Sequence, residues 1–105
     1  MDSFAERISE LKEKCTGDFV FTEDDRTLLH NAYWTGGVIV SMMALEMIAY
    51  EPGHEDLPIL LDASSPSSAV VCRVYAAEAL GGLGDQGAGV LRLMMEREKH
   101  PLVRF

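Results

Sequence analysis

The sequence predicts an all-α protein in which six helices form about three antiparallel helical hairpins. Apolar residues recur with the period of about 3.6 residues that is typical of amphipathic helices. Glycine, proline and serine interrupt this pattern at short intervals, so successive helices are expected to be joined by short loops and to run antiparallel. The only alternating stretch, residues 18–21, is too short to build a sheet.

The first hairpin is predicted to contain helices at about residues 2–15 and 22–35. One apolar stripe on the first helix is formed by Phe4, Ile8, Leu11 and Cys15. Gly17 follows this helix and is expected to take the left-handed conformation that often ends helices. Thr22 is expected to cap the second helix, because its hydroxyl can accept a backbone N–H of the first turn.

The second hairpin is predicted over about residues 38–63. Its first helix, Val38–Tyr50, is apolar on nearly every side and is therefore expected to be covered on several sides. Its second helix, at about residues 55–63, tolerates Pro58 in the first turn. The side chains expected to point inward from this helix are Leu57, Leu60 and Leu61.

The third hairpin is predicted to contain helices at about residues 67–83 and 86–99. Ser65 is expected to cap the first of them, with Pro66 in its first turn. The polar side of the second helix is expected to expose Arg92, Glu96, Arg97, Glu98 and Lys99. Residues 102–105 are typical of the opening of one more helix.

An internal repeat of 31–32 residues relates the later hairpins, because Met43–Glu46 aligns with Tyr75–Glu78 and Arg73 with Arg104. The segment Arg73–Asp85 resembles the R-x-x-A-A-x-A-L-G-x-L-G-D signature of HEAT-like repeats, in particular the short phycobilisome-lyase-type subclass. The alanines permit close helix packing, the glycine before Asp85 can end a helix, and Asp85 can cap the next one.

This resemblance implies a short right-handed α-solenoid that serves as a scaffold for protein binding. Residues 1–105 then form a single HEAT-like domain. Within it, residues 1–35 form a capping hairpin, residues 36–65 a degenerate repeat, and residues 66–100 the repeat that matches best. The repeat pattern leaves open whether the chain is complete or belongs to a longer solenoid.

Composition restricts the partner and the compartment. Lysine and arginine number 9 against 17 acidic residues, giving a net charge of −8 that repels nucleic acid. This charge either favours a basic protein partner or serves only to keep the protein soluble. The longest apolar run, residues 36–50, contains a glutamate and is shorter than the about 20 residues that span a bilayer. Cys15 and Cys72 lie in apolar stripes and are expected in the core, as reduced thiols of a cytoplasmic protein. Residues 1–10 are charged throughout, so they are not expected to form a signal peptide.

No catalytic residue, metal site or cofactor is predicted, so the protein is interpreted as a non-enzyme. Some HEAT-like enzymes such as deoxyhypusine hydroxylase hold two irons with several His-Glu pairs, whereas His54-Glu55 is a single pair. Residues 81–84 are glycine-rich but lack the lysine and hydroxyl residue of a phosphate loop.

The candidate partner-binding residues are Glu46, Glu78, Trp34, Tyr33, Asp24 and Asp25. Glu46 and Glu78 occupy equivalent repeat positions, where they form either an acidic ridge for a basic partner or two solvated carboxylates. The aromatic pair fits an interface anchor and core packing about equally well. The alternatives to a binding scaffold are a subunit that handles a bilin or another prosthetic group, as in lyases, and a solenoid segment without separate activity.

Overall fold

The computed structural model describes residues 3–17 and 19–103, and every regular element in these residues is helical. The six α-helices are α1 (Phe4–Lys14), α2 (Glu23–Thr35), α3 (Val38–Tyr50), α4 (Leu57–Ala63), α5 (Val70–Gly82) and α6 (Asp85–Arg97), with a 3₁₀ turn at His54–Asp56 before α4. The all-α prediction is confirmed, and the bounds of α3 are those that the sequence predicts.

The chain divides into two compact units, Met1–Met47 and Ile48–Phe105, which we call unit 1 and unit 2. In unit 1, α1 packs against α2. The buried apolar side chains of unit 1 are Ile8, Leu11, Phe21, Leu28, Leu29, Ala32, Ala44, Leu45 and Met47. This core follows the apolar stripes of α1 and α2, as their helical period predicts.

In unit 2, α5 packs against both α4 and α6. The buried apolar side chains of unit 2 are Ile48, Ile59, Leu60, Ala63, Ala76, Ala77, Ala79, Leu80, Met94 and Val103. The backbone of Gly87 in α6 lies against the Leu80 carbonyl so closely that a Cβ there would collide with it. The absence of a side chain on Gly87 therefore lets the backbones of α5 and α6 approach each other closely at this point.

The predicted cap at the start of α2 is confirmed in atomic detail. The Asp25 N–H donates to Thr22 Oγ1 (3.1 Å), and the Thr22 N–H donates to Asp25 Oδ2 (2.9 Å). This reciprocal pair satisfies two backbone donors that the first turn of α2 cannot satisfy itself. Gly17 and Gly84 take positive φ values of 56° and 62°, which glycine adopts more readily than any other residue. The ψ of −130° at Gly84, however, lies outside the left-handed helical conformation.

The start of α5 differs from the prediction. Ser65 does not cap a helix, because residues 65–68 form a turn in which the Ser68 N–H donates to the Ser65 carbonyl (2.9 Å). Arg73 fixes this turn by donating from Nη1 to the carbonyls of Pro66 (2.8 Å) and Ser68 (3.0 Å), and α5 begins only at Val70. Asp85 is likewise the first residue of α6 and not its cap.

Several burial predictions are wrong. In α4, Leu61 is exposed whereas Ile59 is buried, so the helix is rotated relative to the predicted inward face. In α3, Val38 and Ile39 of the first turn are exposed, whereas Ala44, Leu45, Met47 and Ile48 are buried, so the expected cover on several sides is not contradicted. Cys15 and Cys72 are half-buried and lie at the margin of the core.

The final described residues also differ from the prediction. Glu98, expected in solvent, is buried. Pro101–Val103 form a turn closed by the Val103 N–H and the His100 carbonyl (3.1 Å), not the opening of a helix, while residues 104 and 105 lie outside the described part. Among the residues described, no helix combines the length and the hydropathy needed to cross a bilayer.

Candidate partner-binding surfaces

Three large apolar side chains are exposed where α2 ends and α3 begins. Trp34, Val38 and Ile39 have 54%, 75% and 72% of their surface accessible. We call these three residues the α2–α3 corner. The ring of Tyr33 packs edge-on against that of Trp34, with 4.9 Å between centroids. Clustered apolar exposure of this kind marks an interaction surface more often than scattered apolar residues do.

Two glycines and a serine fix the backbone of the α2–α3 corner. A Cβ on Gly36 would collide with the side chain of Val40, so only glycine fits there. Gly37 has a backbone φ of 89°, which residues other than glycine rarely adopt. The Ser41 hydroxyl donates to the Tyr33 carbonyl (2.6 Å) and thereby satisfies a carbonyl near the end of α2. The corner is therefore held by local constraints in unit 1.

The four predicted acidic residues lie in different environments. Asp24 is exposed in the first turn of α2, whereas Asp25 is engaged in the cap of that helix. Glu46 forms an ion pair with Lys12, with 2.7 Å between Oε1 and Nζ. Glu78 is exposed and belongs to unit 2, whereas the other predicted site residues belong to unit 1. The equivalent repeat positions of Glu46 and Glu78 thus have unequal surroundings.

Unit 2 contains a cleft of about 620 Å³ that the sequence did not indicate. Its lining residues, which define the Arg73 cleft, are Pro66, Arg73, Arg97, Glu98, Lys99, His100 and Pro101. They come from the turn before α5, from α5 itself, from the last residue of α6 and from the segment that follows it. Three cationic side chains face a single carboxylate here, against the acidic balance of the whole chain.

A buried ion pair forms the inner wall of the Arg73 cleft. Arg73 Nε lies 2.9 Å from Glu98 Oε1, and the two side chains are only 13% and 6% exposed. The contact lacks the alignment of a hydrogen bond, so both of these solvent-inaccessible atoms are without a hydrogen-bond partner. The attraction between them is therefore that of two opposite charges at short range in a poorly hydrated place.

Local sequence reasoning misses Glu98 because its partner is far away along the chain. Glu98 directly follows α6 among charged residues, which is typical of a solvated helix end. Arg73 is singled out by the sequence only as the first residue of the repeat signature. An arginine among apolar residues in the first two turns of a helix needs a carboxylate partner when it is buried, and this was the signal that could have indicated the pair.

Cysteine and metal chemistry find little support at the described positions. Burial raises the pKa of the Cys72 thiol, which leaves it protonated and poorly nucleophilic near neutral pH. No three His, Cys, Asp or Glu side chains converge on a possible metal position in residues 3–17 and 19–103. Asp56 is buried and accepts the Gly53 N–H (2.9 Å), a local role at the turn before α4.

No protein-family model matches the chain, and neither the curated proteins nor the solved structures contain a significant match to it. The resemblance to HEAT-like repeats therefore rests on the segment Arg73–Asp85 and on the repeat offset alone. The class of protein that the structure defines is an all-helical one with two compact units.

Proposed function

We propose that the chain is a non-enzymatic scaffold, a HEAT-like α-solenoid of helical hairpins, that binds a partner protein with a basic surface. The α2–α3 corner carries this proposal. Its exposed tryptophan and two β-branched residues lie within residues 27–45, which contain no Asp, Glu, Lys or Arg. The centres of protein interfaces are similarly poor in charge and rich in aromatic side chains.

Charge selects the kind of partner. In residues 3–17 and 19–47 of unit 1, seven acidic residues accompany four basic ones. An apolar centre within a predominantly acidic surface fits a partner whose apolar site is rimmed by lysine or arginine. Cys15 and Cys72 are not in a disulfide, which supports a cytoplasmic location, because reducing conditions there keep thiols reduced.

The solenoid part of the proposal is supported by features of unit 2. Gly84, between the two helices of the signature hairpin, has a positive φ of 62°, which favours glycine. The signature alanines Ala76 and Ala77 are buried in α5, which packs against α6. These two features of the signature segment support the HEAT-like interpretation.

The proposal is tested by comparing retention on immobilised wild-type protein with retention on Trp34→Ala. We expect one basic protein from a native lysate to bind the wild type and to lose about tenfold in affinity on Trp34→Ala, since an interface anchor contributes about 1.4 kcal/mol or more. Leu93→Ala is the matched control, because Leu93 is also an exposed apolar residue but lies in unit 2. If Trp34→Ala and the wild type retain the partner protein equally well, the α2–α3 corner is not the binding surface and the proposal fails.

The contribution of charge is tested separately with Glu78→Lys. Glu78 is exposed, so charge reversal there changes the surface without disturbing the core. Reversal of Glu46 is less informative, because it would place two ammonium groups together at Lys12. If unit 2 takes part in binding, Glu78→Lys weakens retention at low salt, and added salt removes the difference.

A further inference from the structure

The Arg73 cleft has a charge opposite to that of the chain. Arg73 and Glu98 neutralise each other at 2.9 Å, which leaves the charges of Arg97 and Lys99 uncompensated within the lining. The C-terminal end of α6 adds a partial negative charge of about half an elementary charge. Two full positive charges outweigh this term, so the cleft attracts anions.

The buried ion pair gives the cleft a fixed floor. Arg73 is tied to the turn before α5 through the carbonyls of Pro66 and Ser68, and to the end of α6 through Glu98. The guanidinium therefore connects the two segments that form the walls. A ligand that enters meets a preformed site and does not have to order it, which lowers the cost of binding.

Other lining residues supply a further donor and apolar walls. The Leu102 N–H donates to His100 Nδ1 (3.2 Å), so Nε2 is the ring nitrogen that can donate to a ligand. Pro66 and Pro101 contribute apolar surface to the lining. The volume of about 620 Å³ falls in the range of about 300–1,000 Å³ that is typical of small-molecule sites.

We propose that the Arg73 cleft binds a small organic anion, whose carboxylate or phosphate group contacts Arg97 and Lys99 while its apolar body lies against the two prolines. This site is separate from the α2–α3 corner and does not depend on the scaffold function. It uses the feature that distinguishes the cleft from the rest of the acidic chain, a local excess of cationic donors around a concave surface.

The test is a titration of the full chain with benzoate, phenyl phosphate and benzamide, followed by backbone amide NMR. These probes share one apolar ring and differ in carrying a carboxylate, a phosphate or no charge. We expect saturable shifts confined to residues 66–73 and 97–103 with at least one anion, and none with benzamide. The tighter of the two anions identifies the group that the site recognises. Absence of saturation with both anions, or shifts spread over unit 1, would overturn the proposal.

Charge-removing variants separate the site from the general field of the protein. Arg97→Gln and Lys99→Gln are each expected to weaken anion binding about tenfold, or about 1.4 kcal/mol. Arg92→Gln is the matched control, because Arg92 is exposed on the same helix but does not line the cleft. An equal loss of anion affinity in Arg92→Gln would show that binding depends only on the net charge of the protein and would overturn the proposal. Far-UV circular dichroism verifies that each variant is folded.

Discussion

The Lys12–Glu46 and Arg73–Glu98 ion pairs have similar lengths, 2.7 Å and 2.9 Å, but lie in opposite environments. The first joins side chains that are 65% and 39% exposed in unit 1. The second joins side chains that are 13% and 6% exposed in unit 2. By the distance between their charged atoms alone, the two ion pairs would be expected to contribute equally to stability.

Hydration makes the two pairs different. Water already solvates Lys12 and Glu46, so their contact replaces one favourable interaction by another. Arg73 and Glu98 have given up most of that hydration. The charge of Glu98 therefore depends on Arg73, whereas Arg73 also donates to the carbonyls of Pro66 and Ser68. The comparison shows that the loss of stability on removing one partner of an ion pair depends mainly on how well water solvates the charge that is left behind.

The largest expected effect is that of Arg73→Met. It leaves the buried carboxylate of Glu98 without a counter-charge and removes the donors that hold the Pro66 and Ser68 carbonyls. We expect the free energy of unfolding to fall by about 3–5 kcal/mol in urea titrations followed by far-UV circular dichroism. A loss below about 1 kcal/mol would show that water reaches Glu98 and that the two ion pairs are energetically alike.

The double variant Arg73→Met/Glu98→Met sharpens the comparison. It removes the orphaned charge together with its former partner, so we expect it to recover about 2 kcal/mol of the stability lost by Arg73→Met alone. The same urea titration measures this difference. A double variant no more stable than the single one would assign the loss to the hydrogen bonds of Arg73 and not to the charge of Glu98.

Cys72 reports the opening of unit 2 next to Arg73. Because burial raises the pKa of its thiol, less thiolate is present near neutral pH than in the unfolded chain. In a Cys15→Ser background, we expect iodoacetamide to label Cys72 at least about tenfold more slowly in the native chain than in urea. The native rate should rise as pH increases toward the raised pKa. Equal native and unfolded rates would contradict the burial of the thiol.

The smallest expected effect is that of Lys12→Met. Because the Lys12–Glu46 pair is solvated, its loss should change the free energy of unfolding by about 0–1 kcal/mol. The difference from wild type should shrink further at high salt, since salt screens exposed charges. A loss as large as that of Arg73→Met would mean that exposure does not distinguish the two pairs.

Local chemistry predicts much of the helical framework. The bounds of α3 follow from the apolar segment between two glycines and a proline-glycine pair, and the cap of α2 follows from Thr22. Hydroxyl caps and left-handed glycines act over a few residues, so their sequence signals are self-contained. The inward face of α4 is not predicted correctly, because seven residues make too few turns to define an apolar stripe.

The candidate sites are predicted less completely. Trp34 and Tyr33 are recognisable from the sequence, but the exposure of Val38 and Ile39 depends on which neighbours cover α3. The Arg73 cleft requires two segments that are far apart in sequence to meet in unit 2. The periodicity of apolar residues describes single helices and not contacts between distant segments, so neither the cleft nor its ion pair could be predicted from it.

The burial of Arg73 also limits where trypsin can cleave the native chain. Trypsin cleaves after lysine and arginine, and neither residue occurs between Arg26 and Arg73. Because Arg73 is held inside unit 2, a native chain should offer no efficient tryptic site from residue 27 until Arg92, which is exposed. A peptide that ends at Arg73 is therefore released only from molecules whose unit 2 has opened, and its rate of appearance measures that opening.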